Sequence, residues 1–411
     1  MAQSTSDAFW QPLKASYQKH YKLIEDDSNS EIPFPLILSP AEKSLDQVLQ
    51  AVSKLGAKPA DGDKPSELRT LMDANGGVIN FKNMPLHTAD DFSKFVTALA
   101  GTGSHGLVPH KDFGGQVLRR EHAKHVVATN EGPSTDIITW HNEYSVSPSH
   151  PHYVIFFCEK SAPVGGETPV TSSLASYDRL KKVCPEYLEQ SAKKGYAYKV
   201  YHTAVQTRGL VGGNGVFSPT AFGPVDENLP VELQRRAVDD RIEELMKMGG
   251  WSRETVDDPS LPPWQRRGFD WKWTENGDCD ITHRVPGIRI HPTRNMPSYF
   301  NAMANRWAYA NKYNTWKPPH IAVKEDGKEQ TFWPPLFAGT EEDEVIPKQW
   351  MDKADEIQNE LSSNVAWEAG DVMVIDNFAV QHARLPWTGD RKVLASFWDE
   401  PGLHAAPMKW E

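Results

Sequence analysis

Four short stretches of this chain are predominantly apolar, and they lie far apart: Gly77-Val-Ile-Asn-Phe81, Tyr153-Val-Ile-Phe-Phe-Cys158, Asp371-Val-Met-Val-Ile-Asp376 and Lys392-Val-Leu-Ala-Ser-Phe-Trp398. Continuous apolar runs of this length, bounded by turn residues, read as strands of a buried sheet. No clean linker, internal repeat or low-complexity segment separates them. The expectation is therefore one β-rich α+β domain over residues 1–411. Residues 1–76 form an N-terminal arm and helices. Residues 77–398 form the core, with a long insertion at about 175–365.

Helical spacing adds flanking elements. Leu45, Val48, Leu49 and Val52 share a face within 41–55, and a short helix is expected near Glu67–Ala74. Thr88 with Asp91 three residues on resembles a capping box ahead of Phe92, Phe95, Val96 and Leu99. Further helices are expected at 230–249, Asn301–Asn311 and Pro347–Leu361. The segment Ile32-Pro-Phe-Pro-Leu-Ile-Leu-Ser-Pro40 reads as an extended arm.

Composition narrows the function. The 411 residues carry a formal charge of -11 and only three cysteines. A phosphate-backbone partner is disfavoured, as is an anionic membrane surface, because Lys and Arg form no basic tract. Sparse, odd cysteines fit a reducing compartment better than a disulfide framework. Met1-Ala-Gln-Ser-Thr-Ser lacks the basic start of a signal peptide, and no apolar run approaches the ~18 residues of a membrane span. A cytoplasmic protein is expected, with a small-molecule partner, no nucleic acid and no membrane; oligomeric state is left open.

The chemistry is carried by His141-Asn142-Glu143. On a strand, residues i and i+2 share a face, so an imidazole and a carboxylate converge. That is two thirds of a 2-His-1-carboxylate triad, which leaves positions open on Fe(II). Taken alone, H-x-E fits a surface ion pair or a satisfied core histidine at least as well. The third ligand must come from another strand, and His382, just past the apolar run ending at Asp376, is the best candidate. Arg391 shares a strand face with Val393 and Ala395. If that face lines a cavity, its guanidinium needs a planar anion such as a carboxylate. Gly165-Gly-Glu-Thr168 reads as a hairpin turn whose Thr hydroxyl could add a contact. His150-Pro151-His152 is a weaker metal candidate, because the proline favours a loop.

In this order the blocks resemble the taurine dioxygenase superfamily, and more narrowly its clavaminate-synthase-like branch. They are Trp140-His-Asn-Glu143, Gly165-Gly-Glu-Thr168, Gly370-Asp-Val-Met-Val-Ile-Asp-Asn377, His382-Ala-Arg384 and Gly389-Asp-Arg-Lys-Val-Leu-Ala-Ser396. The resemblance spans roughly residues 77–398. It implies a double-stranded β-helix (jelly-roll, cupin-like) core. It implies Fe(II) on His141, Glu143 and His382, with 2-oxoglutarate and O2 as co-substrates. It also implies Arg391 as the clamp on the distal carboxylate of 2-oxoglutarate, with Thr168 beside it. The implied reaction is oxidation of an unactivated C–H bond by hydroxylation, desaturation or ring closure, with release of succinate and CO2. The taurine enzyme has a second Arg four residues after the clamp; here Ala395 stands there, which disfavours a sulfonate. A small polar substrate, an amino acid or a carboxylic acid, is expected. Arg384, Asn130, Glu131, Tyr144, Ser145, His202 and Trp398 are candidate substrate contacts, and Leu210-Val-Gly-Gly-Asn-Gly215 is a candidate lid. The rival readings are a non-catalytic metal-binding jelly roll, which needs no carboxylate clamp, and a zinc hydrolase, for which no H-E-x-x-H is present.

Overall fold

The computed structural model describes residues 9–59, 64–101, 106–111, 119–129, 132–204, 215–217, 221–222, 225–226, 228–324 and 327–410. The elements that build the site are, in chain order, β1 (Leu36–Pro40), α1 (Leu45–Gly56), α2 (Glu67–Ala74), β2 (Val78–Phe81), α3 (Ala89–Ala100), β3 (Val126–Ala128), β4 (Ile138–His141), β5 (Tyr153–Lys160), β6 (Thr168–Ser172), α4 (Ser173–Val183), α5 (Pro185–Lys194), β7 (Tyr196–His202), α6 (Val231–Met248), β8 (Cys279–Val285), α7 (Met303–Tyr313), α8 (Lys348–Leu361), β9 (Ser363–Val365), β10 (Val372–Asp376), β11 (Val380–Arg384) and β12 (Lys392–Asp399).

Two sheets form the frame. The larger runs β1-β2-β10-β5-β12-β3, with short strands Trp10–Pro12 and Glu121–Ala123 at its edges. The smaller runs β9-β6-β11-β4. Within the larger sheet β1 and β2 are parallel, whereas β10, β5 and β12 pair antiparallel. The segment read as an extended arm thus ends as a strand of the main sheet, because Leu36–Leu38 pair with Ile79–Phe81.

The apolar runs are continuous because both faces of the larger sheet are covered. Tyr153, Ile155, Phe157, Val372, Val374, Leu394 and Trp398 pack against Val48, Val52, Phe92, Phe95 and Leu99 of the N-terminal helices. The alternate residues Val154, Phe156, Met373, Ile375, Val393, Ala395 and Phe397 pack against Val170, Val365 and Val380 of the smaller sheet. Each large apolar side chain so buried contributes about 1.5–3 kcal/mol. The α3 cap forms as its sequence predicts: Thr88 Oγ1 accepts from Asp91 N at 3.1 Å and donates to Asp91 Oδ2 at 3.0 Å. From α2, Arg69 reaches under the sheet to Asp376, Tyr153 and Glu400, and His291 Nε2 lies 3.0 Å from Asp376 Oδ2.

The stretch between β6 and β9 contributes its own layer. β7 and β8 pair antiparallel from Tyr196↔Val285 to His202↔Cys279. α7 packs on β4, the edge strand that carries His141, and α8 packs on α4 and β6. Among the described residues no helix is long and apolar enough to cross a membrane.

Candidate active site

β4 and β11 pair antiparallel with His141 directly opposite His382. Opposed residues project from the same face, and the two imidazole centroids are 4.2 Å apart. Glu143 lies beyond the end of β4, so a strand's period of two is not what brings it in. Its carboxylate nevertheless meets both rings: Glu143 Oε2 is 3.7 Å from His141 Nε2 and 3.4 Å from His382 Nε2. One ligand atom from each of the three lies within 4.8 Å of the others.

Backbone contacts position Glu143. Asn377, just after β10, accepts from Glu143 N at 2.7 Å and donates to Glu143 O at 2.9 Å. Asn142 turns the other way and donates to the carbonyls of Asn377 and Val380 at 2.7 and 3.1 Å. Tyr144 then takes a left-handed conformation, φ 57°, a position uncommon for a bulky residue. Arg119 Nη2 donates to Glu143 Oε1 at 2.6 Å, which leaves Oε2 to face the histidines.

Protonation states follow from these partners. Burial pushes the Glu143 carboxyl up, but Arg119 and hydrogen bonds from His141 and His382 outweigh it, holding Glu143 ionised and well below the usual carboxylate range. Burial, helped by His141, pushes His382 down to about 4 against the pull of Glu143. His141 Nδ1 lies 2.8 Å from Thr139 O, a carbonyl, so Nδ1 carries the proton and Nε2 presents a lone pair. His382 Nδ1 is buried with no partner among the described residues. Two imidazoles and one carboxylate on a single face suit a divalent transition metal with positions left open.

A second wall of the cavity carries the positive charge. Gly165 and Gly166 have φ of 74° and 77°, and a Cβ on Gly166 would come within 2.9 Å of Arg391 Cδ and Nε. The paired glycines therefore form a cradle for Arg391 as well as a turn. Arg391 Nε donates to Gly166 O at 3.1 Å, and its guanidinium stacks 5.1 Å from the Trp387 ring centroid. Burial pushes Arg391 down to about 10, so it stays a cation at neutral pH while short of a counter-charge. Thr168 Oγ1 accepts from Trp367 Nε1 at 2.8 Å, leaving its own proton to donate. Arg391, Thr168, His141, Glu143 and His382 all line one cavity of about 340 Å³.

The remaining candidates divide. Tyr144 and Ser145 line the cavity, as does Arg384, whose Nη2 donates to the carbonyls of Pro133 and Asp136 at 3.0 Å each. Trp398 does not. Counted from Arg391 it has the opposite parity on β12, so it packs with the N-terminal helices and donates to Ser396 Oγ at 2.7 Å. His202 is buried near His283 and Phe222, off the cavity wall. His150 and His152 pack on Phe378, and His152 Nδ1 accepts from Glu400 N at 2.9 Å. Asn130, Glu131 and residues 210–214 of the expected lid lie outside the described residues. Sequence reasoning missed Arg119, Asn377, Asn305 and Arg306. Of these, Asn377 alone sits in a quoted motif block, where no role was given to it.

The chain matches the family model "Taurine catabolism dioxygenase TauD, TfdA family" over residues 47–398. It belongs to that family. Among curated relatives, a clavaminate synthase-like protein of Arabidopsis thaliana is 28% identical over 387 residues, covering 92% of this chain and 95% of the relative. The dapdiamide synthesis protein DdaC of Enterobacter agglomerans is 22% identical over 325 residues, covering 79% and 82%. Among solved structures, a taurine dioxygenase from Burkholderia xenovorans aligns at 14% identity and TM-score 0.41, covering 96% of each chain. AAD-2 in complex with Mn(II) and N-oxalylglycine aligns at 13% identity and TM-score 0.40, covering 93% and 97%. As a TauD/TfdA family member the chain is a 2-oxoglutarate-dependent non-haem iron dioxygenase, using Fe(II), 2-oxoglutarate and O2.

Proposed function

We propose that His141, Glu143 and His382 hold Fe(II), that Arg391 and Thr168 hold the distal carboxylate of 2-oxoglutarate, and that the enzyme oxidises an unactivated C–H bond of a small polar substrate, an amino acid or a carboxylic acid. The products from the co-substrate are succinate and CO2. The observation that carries this reading is the meeting, in one cavity, of three ligand atoms within 4.8 Å with an Arg391 that has no carboxylate partner among the described residues. The two sheets, packed face to face through Val154, Phe156, Val170 and Val380, support a double-stranded β-helix.

Bound iron would supply open coordination positions at which a 2-oxo acid and O2 meet. The protein does the rest. Arg119 holds one oxygen of Glu143, so that the other is presented to the metal. Thr139 O fixes the His141 tautomer. The Arg391 fork and the Thr168 hydroxyl orient the co-substrate through its far end. Phe156 and Val393 give the cavity apolar walls that keep water from the reacting centre. Hydroxylation, desaturation or ring closure then follows from where the substrate's C–H bond is held.

Anaerobic titration of the apo-enzyme with Fe(II) and 2-oxoglutarate tests this reading. A visible metal-to-ligand charge-transfer band is expected at one iron per chain. Correctly folded protein that shows no band would overturn the assignment.

A further inference from the structure

Part of the cavity wall comes from the insertion, where Tyr198, Val200, His283, Ala302, Asn305 and Arg306 line it. Arg306 sits in the first turns of α7. Its Nη2 donates to Lys199 O at 2.8 Å, and the described residues offer it no carboxylate. Burial pushes it below an ordinary arginine, with only Tyr198 and Tyr309 opposing. The Asn305 side chain makes no hydrogen bond among the described residues. The Ser145 and Thr139 hydroxyls, also on the cavity wall, are buried without a partner among them.

Charge points the same way. Among the described residues lining the cavity, four arginines (Arg119, Arg306, Arg384 and Arg391) face a single carboxylate, Glu143. Arg119 is paired with Glu143, and Arg384 is tied to two backbone carbonyls. The co-substrate's distal carboxylate answers Arg391. Arg306 is left: half-buried, with no ion pair among the described residues, it lacks the counter-charge that a partly desolvated cation favours. Its position fits an entering ligand, because Arg306 and Val200 also line an outer groove of about 1060 Å³ that adjoins the cavity.

We propose that Arg306, with Asn305 beside it, is the substrate anchor, and that the substrate carries a carboxylate which docks there while its remainder extends toward His141, Glu143 and His382. This rests on the iron and 2-oxoglutarate reading and adds the residue that receives the substrate's carboxylate. It also moves the substrate's anion from β12, where Ala395 gives no charge, to the insertion.

The test uses Mn(II)-loaded enzyme saturated with N-oxalylglycine, which occupies the Arg391 site, and reads paramagnetic relaxation of propionate protons by NMR. Wild type is expected to relax propionate at least tenfold more than propionamide. Arg306→Gln should abolish that difference, and Arg306→Lys should retain a weakened one, with Mn(II) binding unchanged by its electron paramagnetic resonance signal. Equal relaxation by the amide, no relaxation of propionate in wild type, or undiminished relaxation in Arg306→Gln would each overturn the anchor. Failure of wild type to bind Mn(II) with N-oxalylglycine would overturn the iron reading, and this proposal with it.

Discussion

Two clusters in this molecule have nearly the same composition and opposite character. His141, Glu143 and His382 form one; Asp73, His291 and Asp376 form the other, and in each the ligand atoms lie within 4.8 Å. By residue type they differ only in balance, two histidines to one carboxylate in the first and one to two in the second. The difference lies in what occupies the centre. In the second cluster the Arg69 guanidinium already bonds to Asp376 and lies 3.5 Å from Asp73, while His291 closes on the same carboxylate. In the first, Arg119 takes only the outer oxygen of Glu143, and the inner one faces two imidazole nitrogens across an open cavity. On the proposed reading, a histidine–carboxylate group serves as a structural knot or a metal centre according to where its cation sits.

The comparison can be broken most directly at His382. His382→Ala should abolish the charge-transfer band and lower succinate release by at least about 10³-fold, with the circular dichroism spectrum retained. A band of wild-type intensity would remove His382 from the site. Arg69→Met is the counterpart: it leaves buried Asp376 with His291 alone, at a cost of about 3–5 kcal/mol in denaturant unfolding, with one iron still bound per chain. If iron binding is lost while stability holds, the two clusters have been assigned the wrong way round.

The same pair sharpens with pH. Burial pushes the Asp376 carboxyl up, but Arg69 and His291 prevail and hold it well below its ordinary value. A depressed carboxylate stabilises the fold above its unfolded value of about 3.9, and that contribution is lost as pH falls through the lower folded value. Wild type should therefore lose stability steeply only below about pH 4, whereas Arg69→Met should show a shallower loss there. Next in size, Arg391→Ala should weaken 2-oxoglutarate binding about 10- to 100-fold, by loss of charge-assisted hydrogen bonds, with Fe(II) affinity nearly unchanged. The smallest effect is expected at Trp398. Trp398→Phe should cost about 1 kcal/mol of stability and leave 2-oxoglutarate affinity within twofold, because the indole packs with the N-terminal helices.

Much of the frame was legible because burial writes itself into period and parity. The apolar runs at 153–158, 371–376 and 392–398 are strands of one sheet, and Arg391, Val393 and Ala395 do share a face. The same parity argument, carried three residues past Ala395, puts Trp398 on the other side, away from the cavity. Strand period explains Glu143 only in part: the strand stops at His141, and two asparagines and a left-handed Tyr144 bring the carboxylate round. Arg119, Asn305 and Arg306 left no trace in any motif. Their roles depend on which loop or helix end faces the cavity, and long-range packing decides that.

The asparagine at 377 has a consequence for how the enzyme acquires its metal. It grips both backbone groups of Glu143 across 234 residues of sequence, and His382 follows only five residues later. At about 5–20 residues per second of synthesis, His141 and Glu143 leave the ribosome about 12 to 50 seconds before the groups that complete their geometry. The nascent N-terminal half holds two of the three proposed donors with nothing to aim them. On the proposed ligand set, metal capture is a post-translational event, and iron is needed by the finished chain rather than by the growing one.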